Sequence, residues 1–268
     1  MRNDGRRSVL GVNVTVCDYE GATQAIIEAS KAGRPFAVSA CAVHGIMEAV
    51  FSPEQRYRMN HLDMVTPDGM PVRWALDLLH KTKLADRVYG PNLTLHVTEA
   101  AAAAGLPIYL YGSTAEVVKD LAGALTHKYP GTVIAGAEPS RFATATPEEL
   151  DEIAARIRAS GAKLCFVGLG CPRQEIWAHS ISERLSMPTL CVGMAFDLHA
   201  GHVKDAPVWA QGAGFQWIWR LAQEPRRLWK RYLLLNPTYL SLLVVQAVGL
   251  WSPNESGRTP DPATPIPS

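Results

Sequence analysis

Several short segments of this chain place polar or small residues directly after apolar runs. The first is Thr66-Pro67-Asp68-Gly69. An acidic side chain at a strand end, in a tight Pro/Gly turn, points into a ligand crevice and could act as a general base that deprotonates a hydroxyl. Aspartate also favours such turns as the cap of the following helix. The spacing leaves both interpretations of Asp68 open.

A second segment, Tyr111-Gly112-Ser113-Thr114, follows the apolar run PIYLY. A turn of small residues before a helix offers backbone N–H groups to a phosphate, which makes Gly112 and Ser113 candidate ligand contacts. The alternative is an ordinary loop between a strand and a helix. Nothing in the local pattern separates the two.

A third segment, from Val167 to Glu175, begins like a dinucleotide-binding fingerprint, but Arg173 stands where the third glycine belongs. This broken match argues against a nucleotide-dependent oxidoreductase. Gly170 still allows a ligand to approach the backbone closely. Gln174 could contact a sugar or a base and Arg173 a phosphate, although Arg173 and Glu175 also suit a solvated helix start.

The fourth segment runs from Gly193 to Gly201, again after an apolar strand. Asp197 could orient a substrate hydroxyl or simply cap a short helix. Of the eight histidines, only His44 lies in a suggestive place, after the run FAVSACA. A structural role is the better interpretation for the other seven.

The fifth segment, from Phe215 to Arg231, is basic and aromatic. Arg220, Arg227 and Lys230 are spaced by seven and three residues, which predicts a shared helical face that could bind phosphate. Interfacial anchors are supplied by Trp217, Trp219, Trp229 and Tyr232. This combination suits an anionic membrane surface. The alternative is a core-packed C-terminal helix with a solvated basic face.

An apolar stretch, from Tyr232 to Trp251, follows the basic segment and is interrupted by Asn236 and Pro237. About 14 residues follow the proline, fewer than the roughly 20 that cross a bilayer. The stretch is therefore predicted to lie in a membrane interface rather than to span the membrane. At the other end of the sequence, no signal peptide is recognised.

Strands and helices must position these candidate residues. The sequence predicts apolar strands that alternate with helices. Strands are predicted at Val9–Val16, Pro35–Ala42, Asp63–Thr66, Pro107–Tyr111, Thr132–Ala137, Lys163–Gly168 and Pro188–Val192. Helices are predicted at Tyr19–Ala32, His44–Phe51, Met70–His80, Leu93–Ala104, Ala115–Tyr129, Pro147–Ser160 and Gln174–Leu185. The pattern predicts an α/β, Rossmann-like fold with a mainly parallel sheet between helices. Ligands of such sheets bind beyond the carboxyl ends of the strands, where these candidates lie.

The composition of the chain limits the classes of fold, partner and cofactor that we expect. Hydrophobic residues make up 47% of the 268-residue chain and its formal net charge is +1, so a large core is expected and nucleic-acid binding is not. The five dispersed cysteines indicate neither a disulfide framework nor a zinc site. No Asp-x-Asp motif is present, so we predict no metal and no cofactor. The predicted divisions are an α/β domain over 1–203, a C-terminal appendage over 204–251 and a disordered tail over 252–268.

The sequence resembles the WecG/TagA/CpsF family of glycosyltransferases over about residues 9 to 235. The resemblance is carried by TPDG with Trp74 in the next helix, by DRVYGPNLT, by VGLGCPRQEIW and by FDLHAGHVKDAPVWAQGAGFQWIWRLAQEPRRLWKRY. It implies an inverting transfer of N-acetylmannosamine, glucose or a similar sugar from a UDP-sugar to an undecaprenyl-diphosphate-linked saccharide. The implied location is the inner face of the cytoplasmic membrane, and family precedent allows a homo-oligomer.

The resemblance also assigns roles to residues. Asp68 matches the expected general base, Gln174 is expected near the donor, and Arg87 is a further candidate. An appendage in this family completes the active site and binds diphosphate at the membrane with arginines that match Arg220, Arg227 and Lys230. The lysine keeps the charge but loses the bidentate fork.

One strand departs from the family pattern. Many members have Thr-x-Asn where this chain has Ser39 and Cys41, so the hydroxyl is kept and the amide is lost. We expect His44 to supply the missing polar contact. The donor sugar therefore does not follow from the resemblance.

Two other readings of the sequence remain. One is an oxidoreductase or methyltransferase with a nucleotide cofactor on the same kind of sheet. The other is a non-catalytic membrane-docking module that uses only the basic aromatic segment.

Overall fold

Six parallel strands form the central sheet of the chain, whose structure is a computed structural model that describes residues 3–212, 214–261 and 264–268. The strands are β3 (Phe36–Cys41), β4 (Met64–Pro67), β5 (Ile108–Gly112), β6 (Ile134–Glu138), β8 (Leu164–Gly168) and β9 (Pro188–Cys191). Their spatial order is β4-β3-β9-β8-β5-β6. Every neighbouring pair is parallel, which confirms the predicted α/β class.

Two smaller pairs of strands lie outside this sheet: β1 (Asn3–Val9) with β2 (Val12–Cys17), and β7 (Thr144–Ala145) with β10 (Ile266–Pro267). The helices of the α/β domain are α1 (Tyr19–Ala32), α2 (Val43–Phe51), α3 (Pro53–His61), α4 (Met70–His80), α5 (Gly90–Ala103), α6 (Ala115–Lys128), α7 (Pro147–Ala159), α8 (Arg173–Leu185) and α9 (Ala195–His199). The appendage contains α10 (Val208–Gly212), α11 (Gln216–Gln223), α12 (Pro225–Lys230), a π-helix (Arg231–Leu235) and α13 (Asn236–Ala247).

Helices cover both faces of the sheet because alternate residues of each strand point to opposite sides. Val38, Phe166 and Leu190 face one cluster, which they share with the apolar sides of α1, α5 and α6. Cys165 and Val167 face another cluster, closed by α7 and α8. A third cluster joins the β1–β2 hairpin to α2, α4 and α13.

Local sequence signals account for several helix ends. Thr146 is the N-cap of α7 and forms a reciprocal capping box with Glu149. Ser52 caps α3, whose first residue is Pro53. Our sequence analysis missed α3 although both signals are present, because its apolar residues show little helical periodicity.

The predicted strand Val9–Val16 is wrong in its extent. The chain turns at Leu10 and Gly11, with φ angles of 51° and 90°, and the flanking residues pair as the antiparallel hairpin. Glycine adopts that left-handed conformation without steric cost, and the turn is hidden in an otherwise apolar run.

The predicted common face of Arg220, Arg227 and Lys230 is also wrong, because the helix is broken between them. Helix α11 ends at Gln223, and Glu224 has φ and ψ of -132° and 59° before α12 begins at Pro225. Proline has no N–H to donate and disfavours helical geometry in the residue before it. Only a continuous helix would align residues spaced by seven and three.

Within the described residues, no helix is long and apolar enough to cross a membrane. Helix α13 instead packs one side against the hairpin cluster through Tyr239 and Leu243, both buried. Its other side exposes Leu240, Val244 and Val248.

Several residues of the segment 252–268, which is predicted to be disordered, contact the α/β domain. The Arg258 N–H donates to the Pro53 carbonyl (2.9 Å), and the Asn60 side-chain amide donates to the Glu255 carbonyl (2.7 Å). Farther on, Ile266 and Pro267 pair with β7. Backbone hydrogen bonds to the α/β domain thus hold a segment whose composition offers few apolar residues.

Candidate active site

Three strand ends meet around Gly90, the first residue of α5. A Cβ at this position would lie 3.1 Å from the Ala40 Cβ, 3.5 Å from the Asp68 Oδ1 and 3.6 Å from the Val192 carbonyl oxygen. The carboxyl ends of β3, β4 and β9 therefore converge on one point. The absence of a side chain at residue 90 lets the helix start lie directly against them.

The Asp68 carboxylate lies at this meeting point. Its Oδ1 accepts a hydrogen bond of 2.5 Å from the Gly90 N–H, and its own N–H donates to the Cys41 carbonyl (3.1 Å). The next helix, α4, has Gly69 as its N-cap and no side-chain cap. The Asp68 carboxylate thus accepts a hydrogen bond from the first turn of α5. The positive end of a helix dipole favours an ionised carboxylate there.

The segment from Asp86 to Gly90 continues the sheet beyond β4. The Val88 N–H donates to the Pro67 carbonyl (3.0 Å), and the Thr66 hydroxyl donates to the Val88 carbonyl (3.4 Å). The Tyr89 N–H donates to the Tyr19 hydroxyl (3.0 Å). These bonds fix the backbone that presents its N–H to Asp68.

Arg87 enters a buried polar network together with three residues that the sequence analysis did not single out. Its Nη1 donates to the Gln216 Oε1 (2.7 Å), and its guanidinium carbon lies 4.3 Å from the centre of the Tyr89 ring. The Gln216 Nε2 donates to the Tyr89 hydroxyl (2.6 Å) and to the Asp205 Oδ1 (3.0 Å). The appendage is therefore joined to the strand ends through α11.

Charges from both parts of the chain converge on Tyr89. Burial raises the pKa of its hydroxyl, and the nearby carboxylates of Asp205 and Asp68 raise it further, whereas Arg220 and Arg87 oppose the shift. The Arg220 charge thus acts on Tyr89, and the predicted role of Arg220 in the active site stays a prediction. The side chains of Arg227 and Lys230 lie outside the described part of the structure.

A second polar group lies between β3 and α8. The Glu175 Oε1 accepts hydrogen bonds from the Ser39 hydroxyl and the Gln174 Nε2, both at 2.9 Å. Burial raises the pKa of Glu175, and the two hydrogen bonds oppose that rise. The Glu175 carboxyl group at this position connects two predicted donor-binding residues. The sequence indicates only a helix start at Glu175, because burial is not visible in the sequence.

Gln174 points towards the end of β9. A Cβ on Gly193 would lie 3.1 Å from the Gln174 Oε1, and that oxygen is buried without a hydrogen-bond partner among the described residues. The structure thus brings two predicted ligand contacts together. An unpaired buried acceptor is costly unless a ligand or water donates to it.

The Cys41 thiol is buried in the same region, and burial raises its pKa. The contact that His44 is expected to make in place of the lost amide stays a prediction. Its Nε2 lies 3.0 Å from the Glu48 Oε1, one turn farther along α2, while its Nδ1 is buried without a partner in the described part of the chain.

The turn after β5 uses its backbone groups within the fold. Gly112 has a φ of 120°, and a Cβ there would lie 2.7 Å from the Gly168 carbonyl carbon. The Ser113 N–H donates to the Gly168 carbonyl, and the Ser113 carbonyl accepts from Ser140, both at 3.0 Å. The predicted phosphate contact through this N–H is therefore not supported. Gly170 also has a positive φ, but open space surrounds its Cβ position.

Asp197 lies in the short helix α9, where its carbonyl accepts from the His202 N–H (2.9 Å). His202 in turn lies 2.8 Å from the Asp120 Oδ2. Glu116, Asp120 and His202 have side-chain ligand atoms within 4.8 Å of one another and are exposed. They are the residues in the described ranges that could hold a metal ion, so the predicted absence of a metal stays a prediction.

One comparison with known proteins bears on this geometry. The family model described as Glycosyl transferase WecG/TagA/CpsF family matches residues 7–253. The matched range contains the strand ends, the buried network and the appendage. It leaves out most of the tail.

Proposed function

This chain belongs to the WecG/TagA/CpsF family of glycosyltransferases, and we propose that it moves a sugar with inversion from a UDP-sugar to an undecaprenyl-diphosphate-linked saccharide. Family membership supports sugar transfer in cell-surface polysaccharide biosynthesis, and it outweighs the oxidoreductase, methyltransferase and docking-module alternatives. N-acetylmannosamine, glucose or a similar hexose is the proposed donor sugar.

The observation that carries the proposal is the position of Asp68. Its carboxylate lies where three strand ends converge, held by the Gly90 N–H. In the proposed reaction the acceptor hydroxyl oxygen forms a bond to the anomeric carbon as the bond from that carbon to the UDP oxygen breaks. UDP leaves with the electron pair, and the hydroxyl proton passes to Asp68. Attack opposite the leaving group inverts the anomeric centre.

The donor is proposed to lie along the ends of β3, β8 and β9. Gln174 contributes the unpaired buried oxygen beside Gly193. The remaining proposed donor contacts are Ser39, Cys41, His44, Gly170, Asp197 and the small residues Gly112 and Ser113, of which the last offers a side-chain hydroxyl rather than its backbone N–H. Ser39 reaches the site through the Glu175 carboxyl group.

The diphosphate groups are proposed to meet positive charge from Arg87 and from the appendage, where Arg220 lies near Tyr89. Arg227 and Lys230 belong to the same basic segment. Arginine suits this task because its planar fork binds two phosphate oxygens at once. We propose that these cations stabilise the departing UDP, so that the transfer needs no metal.

We propose that the appendage binds the cytoplasmic face of the membrane. Leu240, Val244 and Val248 are spaced by four residues and expose one apolar side of α13. The opposite side is already packed, so α13 is apolar on both sides, and an exposed apolar side of this kind suits the interface of a bilayer.

The test is a UDP-release assay across several UDP-sugars, with an undecaprenyl-diphosphate-linked acceptor in vesicles. Release that requires both one UDP-sugar and the acceptor is the expected result, and it should persist in EDTA. Stabilisation against heat by UDP, but not by NAD or S-adenosylmethionine, should accompany it. Loss of activity in EDTA would overturn the metal-free mechanism and direct attention to Glu116, Asp120 and His202. Release from no UDP-sugar would overturn the proposed reaction.

A further inference from the structure

We propose that Gln216 is a positioning residue. It fixes the orientation of the Asp68 carboxylate while the appendage is docked on the α/β domain. It does so through the polar latch, which we define as Arg87, Tyr89, Asp205 and Gln216. The proposal rests on the proposed function, because it concerns the group that deprotonates the acceptor.

The latch uses both polar atoms of the Gln216 side chain. Its Oε1 accepts from Arg87, and its Nε2 donates to Tyr89 and Asp205 at 2.6 and 3.0 Å. Gln216 is 8% exposed and Arg87 is 7% exposed. Buried hydrogen bonds of this kind are costly to leave unmade, so all members of the latch favour the docked arrangement.

The latch reaches Asp68 through one residue. Tyr89 is held at its hydroxyl by Gln216 and Asp205, and at its backbone N–H by the Tyr19 hydroxyl. The residue that follows it is Gly90, whose N–H binds the Asp68 carboxylate at 2.5 Å. A shift of Tyr89 therefore moves the donor that orients this carboxylate.

Undocking the appendage would remove Gln216 from Arg87 and Tyr89 together. Both side chains would then meet water, and Tyr89 would lose the anchor at its hydroxyl, while the backbone keeps its bonds to Pro67 and Tyr19. A misplacement of about 1 Å in a catalytic group can cost roughly 100-fold in rate. The site is consequently expected to be slow whenever the appendage is not seated.

The experiment compares Gln216→Leu with Gln223→Leu in the full chain on acceptor-containing vesicles. Gln223 lies on the same helix, but it is exposed and makes a single hydrogen bond, to the Lys204 carbonyl at 3.0 Å. We expect Gln216→Leu to lower kcat by about 10- to 100-fold with little change in the KM for the UDP-sugar. We expect Gln223→Leu to behave like the wild type.

Two readouts separate positioning from general damage to the fold. Trypsin should cut residues 204–231 faster in Gln216→Leu than in Gln223→Leu, while the α/β domain resists equally in both. UDP should raise the Tm of both variants to the same extent. Equal kcat values for the two variants, or a Gln216→Leu protein that has a low kcat but wild-type trypsin resistance, would overturn the proposal.

A rescue experiment exchanges donor and acceptor across the latch. Gln216→Glu keeps an acceptor for Arg87 but places two carboxylates 3 Å apart, judged from the wild-type distance of 3.0 Å. Adding Asp205→Asn returns an N–H donor opposite that carboxylate. We expect the single Gln216→Glu variant to lose trypsin resistance and kcat, and the double variant to recover both. No recovery would contradict the latch.

The trypsin arm also separates this proposal from the proposed function. If the wild type transfers no sugar, the assigned reaction fails, yet faster cleavage of Gln216→Leu than of Gln223→Leu would still show that the latch holds the appendage. If the wild type transfers sugar and the two variants match in kcat and cleavage, only the latch fails.

Discussion

The surroundings of Gly90 and of α13 differ in how closely they are packed. Atoms from three strand ends lie within 3.6 Å of the position that a Cβ of residue 90 would take. Helix α13, by contrast, has one apolar side exposed. In the first region the Asp68 carboxylate and the backbone of residues 88–90 are held by other parts of the α/β domain. In the second, short helices succeed one another with a break at Glu224 and a π-helix before Asn236. A reacting group needs the first kind of environment, because its position must be fixed. A surface that meets lipid needs the second, because its apolar residues must remain available.

The largest expected effect concerns the charge at the centre of the crevice. Asp68→Asn keeps an oxygen that can accept from the Gly90 N–H but cannot take a proton from the acceptor, so kcat should fall roughly 100- to 10,000-fold. Transfer kinetics give the measurement, and UDP binding by thermal shift should survive.

Asp63→Asn is the matched control. Its carboxylate accepts a hydrogen bond from the Ala37 N–H (2.7 Å) near the start of β3. This bond lies at the amino-terminal end of the strands, whereas Asp68 lies at their carboxyl end. A small change in kcat is expected there. Equal losses in the two variants, or full activity in Asp68→Asn, would remove Asp68 from its role as general base.

A second test concerns how tightly the strand ends are packed. Gly112→Ala would place a Cβ 2.7 Å from the Gly168 carbonyl carbon at a φ of 120°, so strain and overlap add. We expect a loss of about 3 kcal/mol in the free energy of unfolding, measured with urea. Gly170→Ala has open space and a φ of 76°, and should lose only about 1 kcal/mol. Equal losses would mean that the backbone near Gly112 relaxes freely.

The third test concerns the exposed apolar side chains of the appendage. Serine at Leu240, Val244 and Val248 removes apolar side chains that are more than half exposed, so stability should change little. Each side chain is worth about 1.5 to 3 kcal/mol when fully buried, and even partial burial in lipid predicts at least a tenfold weaker binding to anionic vesicles. Vesicle sedimentation measures it.

Val133→Ser, which changes an exposed valine of the α/β domain, is the control. It should bind vesicles like the wild type. A triple variant that still sediments with vesicles would show that the uncovered side of α13 is not the membrane contact.

The smallest expected effect is a pH dependence from Glu175. Burial raises its pKa in the folded protein. An acid with a raised folded-state pKa binds its proton more strongly when folded, so stability falls as pH rises above about 4.3, the ordinary value, until the folded-state pKa is passed. In urea unfolding, Glu175→Gln should lack this fall, so its free energy of unfolding should increasingly exceed that of the wild type as the pH rises above about 4.3. Glu183→Gln, exposed on the same helix, should follow the wild-type curve.

The contrast also explains what could be predicted from the sequence. Strands such as Leu164–Gly168 are continuous apolar runs, so the sheet and its strand-end candidates Asp68 and Gln174 could be found from periodicity and spacing. Tyr89, Asp205 and Gln216 could not, because the network joins Tyr89 to residues that are more than 100 positions away. The helix break could be predicted from Pro225, which outweighs the spacing of the basic residues.

The placement of the tail has a practical consequence. Residues 254–258 lie on α3, and Ile266 and Pro267 pair with β7, so the segment from 208 to 251 is tethered to the α/β domain on both sides. If it lifts, it remains at an effective concentration set by its tethers, in the millimolar range for short flexible linkers. Its return is then a unimolecular step that does not depend on protein concentration. Excising the segment and rejoining its two flanks would separate its contribution from that of the tail, which a simple truncation at residue 204 removes as well.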